Sequence, residues 1–115
     1  MAVDGKDTDV ISVGDIGDTI TVSTGLDLTS GVVTLEIWID RRDVSAGVTT
    51  LTNIAKLTAA VDGDPADGVI KVTTESPSPF TSASAEKWHE IRSYVKWTND
   101  DEKKGDPTEK YVHRG

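Results

Sequence analysis

Carboxylates are the one reactive class this chain carries in excess: 20 Asp and Glu stand against 12 Lys and Arg. They gather in three clusters, Asp4-Gly5-Lys6-Asp7-Thr8-Asp9, Asp62-Gly63-Asp64-Pro65-Ala66-Asp67-Gly68 and Asn99-Asp100-Asp101-Glu102. The middle cluster invites a calcium reading, because a hard cation takes several oxygen ligands from a turning loop. Its spacing departs from that of a calcium loop, which places acids at alternating positions, then Gly, then a distal Glu. Here the third Asp is displaced by one position and Pro65 stiffens the turn. A solvated turn is the expectation, with Asp62, Asp64 and Asp67 as the ligands that calcium binding would require. Paired acids for glycoside hydrolysis must face each other across a cleft, which clusters in surface connections do not provide.

The other reactive types are sparse. His89 and His113 are the two histidines, and neither has a second His or a Cys at ligand spacing. Both are expected as partly exposed strand residues, and no metal or cofactor is assigned. The absence of Cys excludes thiol catalysis and thiolate metal sites, and the serines form no Gly-x-Ser-x-Gly elbow. The expectation is a non-enzyme. Of the three Trp, Trp97 alternates with Val95 and Ile91 and reads as core. Trp38 and Trp88 fall on a polar face and at a strand start, where exposed aromatics anchor protein interfaces or serve as carbohydrate platforms.

The elements that position these residues are strands. Thr (15), Val (13) and Ile (8) outnumber Leu (5), and β-branched side chains favour the pleated backbone. From Val33 to Asp40, Val33, Leu35, Ile37 and Ile39 alternate with Thr34, Glu36, Trp38 and Asp40, the period of a half-buried strand. From His89 to Thr98, Ile91, Val95 and Trp97 form the inward face. Thr19–Ser23, with Ile20 and Val22 alternating against Thr and Ser, and Val69–Thr74 are further strands; in the second either Ile70 and Val72 or Val69 and Lys71 face in, the first pair being the more apolar. Glu109–His113 is expected to return as a hairpin against His89–Thr98 across NDDEKKGDP. Residues 49–61 mix two periods and are read as a strand followed by a turn. Val10, Ser12 and Val13 suit an edge strand, within an amino-terminal segment 1–14 that is otherwise mobile, Met1 to Asp9 above all.

At 115 residues the chain suits one domain, spanning residues 15–115. About six to eight short strands with turn residues between them and no helical period favour an all-β, immunoglobulin-like antiparallel β-sandwich. Leu35, Ile37, Ile39, Ile91, Val95 and Trp97 are the core candidates. A net charge of -8 with four Arg argues against nucleic acid, whose affinity rests on Lys and Arg. No apolar run is long enough to span a membrane, and the first 15 residues are acidic where a secretory signal is basic and apolar, so a soluble chain is expected.

The order of motifs resembles a known family. Gly17-Asp18-Thr19 opens a strand, and Asp27-Leu28-Thr29-Ser30-Gly31 leads into Val33-Thr34-Leu35-Glu36-Ile37-Trp38-Ile39. Asp67-Gly68 precedes Val69-Ile70-Lys71-Val72, and Ile91-Arg92-Ser93-Tyr94-Val95-Lys96-Trp97-Thr98-Asn99-Asp100 is followed by a polar turn and Lys110-Tyr111-Val112-His113-Arg114-Gly115. Over residues 15–115 this resembles the small immunoglobulin-like domains of tailed-phage virion proteins, particularly the amino-terminal domain of baseplate upper proteins and tail-fibre attachment modules. The resemblance implies a non-enzymatic virion component, assembled in the host cytoplasm, whose partners are other virion proteins or further copies of itself. The rival is an adhesin-like or carbohydrate-binding sandwich, with calcium as a possible aid. In the family the pattern continues past the last Gly with another apolar run, so an open sheet edge is expected near Gly115. The interface candidates are Trp38, Trp88, Tyr111, Val112, His113 and Arg114.

Overall fold

A computed structural model describes residues 11–17 and 19–114. The reading of Met1 to Asp9 as mobile, and of Val10 as part of a strand, lies outside the described residues. Among the described residues nine strands run in chain order: β1 Ile11–Ser12, β2 Thr19–Ser23, β3 Val32–Ser45, β4 Val48–Thr58, β5 Ala60–Val61, β6 Val69–Thr73, β7 Lys87–Trp97, β8 Glu102–Lys104 and β9 Thr108–His113. One sheet has the order β1-β9-β7-β3-β4, with β8 also paired to β7, and the other has the order β2-β6-β5. Strands β2, β6 and β5 occupy the places of B, E and D in an immunoglobulin sandwich, and β3, β7 and β9 those of C, F and G, with β4 as an added C′. The pairs are antiparallel except β1 with β9, which is parallel. The strand count exceeds the expected six to eight, and β3, β4 and β7 are long, at 14, 11 and 11 residues.

The alternating runs meet where expected. Ile37 faces Ser93 on one side and Leu57 on the other, and Ile39 faces Ile91 and Ala55, so one stripe of side chains crosses three strands. Ile37, Ile39, Ile91 and Val95 are sealed from solvent, while Leu35 and Trp97 pack at the margin of the core. Each fully buried aliphatic contributes about 1.5–3 kcal/mol relative to exposure. Ile20, Val22 and Ile70 cover the stripe from the second sheet, and Val72 is half-buried beside them.

Four expectations need correction. Val33 is 57% exposed, because Val32 pairs with Trp97 and Thr34 with Lys96. The bulge adds one residue and turns Val33 outward. Residues 49–61 hold no simple strand and turn: β4 runs to Thr58, and β5 follows at once in the other sheet. His89 is wholly buried, not partly exposed. The edge near Gly115 is not open along its length, since β9 is flanked by β7 and, at Val112 and His113, by β1. Within the amino-terminal segment β1 stands as an edge strand of the larger sheet, and its Ile11 packs into the core.

Phe80 closes one end of the sandwich from within the loop between β6 and β7. It is fully buried and meets the His89 ring edge-on at 5.8 Å.

Candidate interaction surface

The outer face of the larger sheet carries the side chains opposite to the core stripe. On β7 these are Trp88, Glu90, Arg92 and Tyr94, and on β3 they are Glu36, Trp38, Asp40 and Arg42, as the two-residue period requires. No second layer covers this face among the described residues.

At one end β7 and β9 place Trp88 opposite Tyr111. Their rings meet edge-on at 5.2 Å, and Tyr111 meets His113 edge-on at 5.0 Å. Glu86 fixes this ladder: one carboxylate oxygen accepts from the Tyr111 hydroxyl at 3.2 Å, and the other accepts from the Arg114 backbone N–H at 3.0 Å. Partial desolvation and then the Glu86 contact raise the Tyr111 hydroxyl above its ordinary pKa, so at neutral pH it remains a donor. Trp88 is 46% exposed. Trp88, Tyr111 and His113 therefore form one aromatic ridge, with the Arg114 backbone tied to the same Glu86.

At the other end Trp38 stacks on Tyr94 with centroids 4.7 Å apart and planes 14° apart. Lys56 and Lys104 hold their ammonium groups 4.3 and 4.9 Å from the Trp38 ring, and Glu36 accepts from the indole N–H at 2.9 Å. Trp38 is half-buried among these neighbours. Between the two ends Arg42 bridges Glu90 and Glu109, and Arg92 also reaches Glu90. Both carboxylates raise the Arg42 pKa, Glu109 first.

Of the six candidates, Val112 stands apart. Its side chain is at 0% exposure in the core, so it supports the ridge from beneath and offers no surface. Sequence reasoning passed over Tyr94, Lys56 and Lys104, although Tyr94 shares the outward parity of Trp88 on β7. It also passed over the hairpin tip. Val44, Val48 and Leu51 are exposed at 66%, 64% and 43% around a two-residue turn, Ala46-Gly47, whose φ values of 51° and 79° are those of a type I′ turn.

The acidic loop is a structural turn. Asp64 accepts from the Ala66 N–H at 3.0 Å and caps a 3-10 turn over Pro65–Asp67, while Asp62 pairs with Lys71 at 3.4 Å. Gly68 ends that turn at φ 73°, and a Cβ there would meet the Leu26 carbonyl at 2.2 Å, so the loop requires glycine. Among the described residues, no three His, Asp or Glu side chains converge as a metal site. Nor is any helix there long and apolar enough to cross a membrane.

An open groove of about 920 Å³ runs between β4 and β6 along the flank of the sandwich, lined by Ile54, Leu57, Val72, Pro77 and Pro79 among others. It exists because three strands are too few to cover the inner face of the wider sheet. No family model matches the chain, and no curated protein and no solved structure matches it. The class is thus defined by the fold alone: an all-β sandwich of two sheets, with an aromatic-bearing sheet face that is uncovered among the described residues.

Proposed function

We propose that this domain is a non-enzymatic structural and assembly module that binds other proteins through the outer face of its larger sheet. The observation that carries the reading is the ridge of Trp88, Tyr111 and His113, held in fixed orientation by ring contacts and Glu86. Aromatic side chains ordered before binding give large contact area at little entropy cost, which is how interface anchors work. The flanking ion pairs of Arg42, Glu90 and Glu109 supply a polar rim. A virion tail or baseplate is the setting that the sequence resemblance implies, with other virion proteins or further copies as partners.

The test is co-assembly. The chain is expressed with the proteins encoded beside it, and complexes are separated by size. Association with one of them, lost in a Trp88→Ala/Tyr111→Ala double variant that still melts cooperatively, is the expected result. Wild-type chain that joins none of them would sink the reading.

The second reading, a ligand-binding sandwich of adhesin or carbohydrate-binding type, draws on the same half-exposed Trp88 ring. Saturable quenching of tryptophan fluorescence by a glycan, abolished by Trp88→Ala, would favour it.

A further inference from the structure

We infer that β4 is a self-association edge, through which two copies of this chain pair antiparallel and join their larger sheets into one. The inference rests on the assembly reading and narrows it to one strand and one partner, a second copy.

Edge strands present unpaired backbone groups, and proteins guard them with shortness, proline, charge, a bulge or a covering element; β4 carries one bulge, at Ile54, which leaves Val48 to Asn53 regular. The other outermost strands, β1, β2, β5 and β8, are two, five, two and three residues long, whereas β4 has eleven. Among the described residues no strand pairs with its outer side. Its sequence, VTTLTNIAKLT, holds no proline and one charge. That charge, Lys56, is turned back over the Trp38 ring of its own sheet. Thr, Val and Leu dominate the rest, a composition suited to a strand and poorly suited to keeping another strand away.

Charge points to a second copy. With a net charge of -8, identical chains repel, and they can approach most easily where carboxylates are fewest. Residues 44–61 are the longest stretch of the chain without Asp or Glu, and β4 lies wholly within it. Both partners of a β4–β4 contact bring this same carboxylate-free edge, as an isologous two-fold interface requires.

Geometry fixes the register. Side chains directly opposite in an antiparallel pair share a face, so a two-fold axis must pass through a residue that meets its own copy. Between Val48 and Asn53 the ladder with β3 is regular, and the bulge at Ile54 ends that stretch. An axis at Leu51 sets the two Leu51 side chains opposite each other and Thr50 opposite Thr52 of the second copy. It buries the largest exposed apolar side chain of the strand and leaves the bulge outside the ladder.

Sedimentation of the intact chain over a range of concentrations and salt tests this. The expected result is a monomer–dimer equilibrium that tightens with salt. A Thr50→Glu/Thr52→Glu variant, which sets carboxylates against each other across the axis, should dimerise at least tenfold more weakly, with a thermal melt unchanged in dilute solution, where both chains are monomeric. Both positions are exposed, so the monomer fold should survive. Because the chain has no Cys, Leu51→Cys supplies a single thiol, and a short bis-maleimide should link it into dimers while the outward-facing Val33→Cys control stays unlinked. A dimer indifferent to the two glutamates and not linked at Leu51 would overturn the β4 edge while leaving self-assembly standing. A monomer at every concentration would overturn self-pairing and leave the co-assembly experiment to decide the broader reading.

Discussion

Between Leu35 and Ile39 the β3–β4 ribbon backs onto the core, and Ile37 and Ile39 are sealed from water. From Asp40 to Ser45 the same two strands stay paired, residue for residue, yet β3 carries no buried apolar side chain there. Arg41 and Asp43 occupy the inward parity there, and Lys87 reaches the same carboxylate. The Lys87 ammonium and then the Arg41 guanidinium hold the Asp43 carboxyl below its usual range. Pairing thus continues on backbone hydrogen bonds after burial has stopped. Strand length is set by one interaction and side-chain pattern by another.

The largest expected effect lies in the covered half. Ile37→Ala should cost about 2–5 kcal/mol, since it removes transfer energy and leaves a cavity beneath three strands. A fall in the urea midpoint with an unchanged slope would show it. An unchanged midpoint would mean that the two halves do not differ in the way described.

The second effect arises at the junction of the two halves, where His89 faces Arg41 across the β3–β7 pair. Its Nδ1 lies 3.1 Å from the Lys87 carbonyl, and Phe80 packs against the ring. Burial lowers its pKa, and Arg41 and Lys87 also disfavour the imidazolium against the pull of the Lys87 carbonyl and Asp43. A depressed folded pKa means that the unfolded chain takes up the proton first. The stabilisation is therefore complete above the ordinary histidine value of about 6.5, and it declines as pH falls from there through the folded pKa. Denaturant midpoints from pH 8 to pH 5 should fall over this window, ahead of the acid range in which Asp43 titrates. A His89→Gln variant should flatten the fall. An identical pH profile in that variant would assign the effect elsewhere.

These two regions also explain what could be read from the sequence. Alternation marks burial on one face, so Leu35 to Ile39 and Ile91 to Val95 were legible, and with them the sandwich. Arg41-Arg42-Asp43-Val44-Ser45 does not alternate, because no apolar layer covers it, and the ribbon beyond Asp40 was invisible. The bulges at Val33 and Ile54 shift parity in a way that no residue type announces. Phe80 and His89 were missed for a related reason. A buried aromatic in a loop has no period, and a histidine sealed beneath it looks in sequence like any strand histidine. The candidate surface was legible in part: Trp88, Tyr111 and His113 lie together in the structure, whereas the stack of Trp38 on Tyr94 depends on the β3–β7 register. That register brings together residues more than fifty positions apart.

A smaller effect is expected at the end of the uncovered half. Ala46 holds φ 51° in the type I′ turn, where an L-residue with a Cβ is strained. Asparagine tolerates this conformation because its short polar side chain bonds locally. Ala46→Asn should recover about 0.5–1 kcal/mol of the ~1–2 kcal/mol that the left-handed conformation costs. Thermal melting should rise by a few degrees. A fall would show that the turn is not the one described.

The smallest effect is expected at Leu51, and it sharpens the comparison most. This side chain lies on the same ribbon as Ile39 but is 43% exposed, so truncation to Ala should shift the stability of the monomer by no more than about 0.5 kcal/mol. That holds in dilute solution. Association stabilises whichever state associates, by mass action, so if Leu51 meets its own copy, the same substitution should become costly as protein concentration rises. The measurement is a pair of thermal melts for wild type and Leu51→Ala, one set far below and one far above the dimer dissociation constant. Curves that superimpose at low concentration and separate at high concentration place the cost of Leu51→Ala between chains. Curves that separate by more than about 1 kcal/mol even when dilute would mean that the outer half of the ribbon is packed within its own chain, and the contrast between the two halves would fail there.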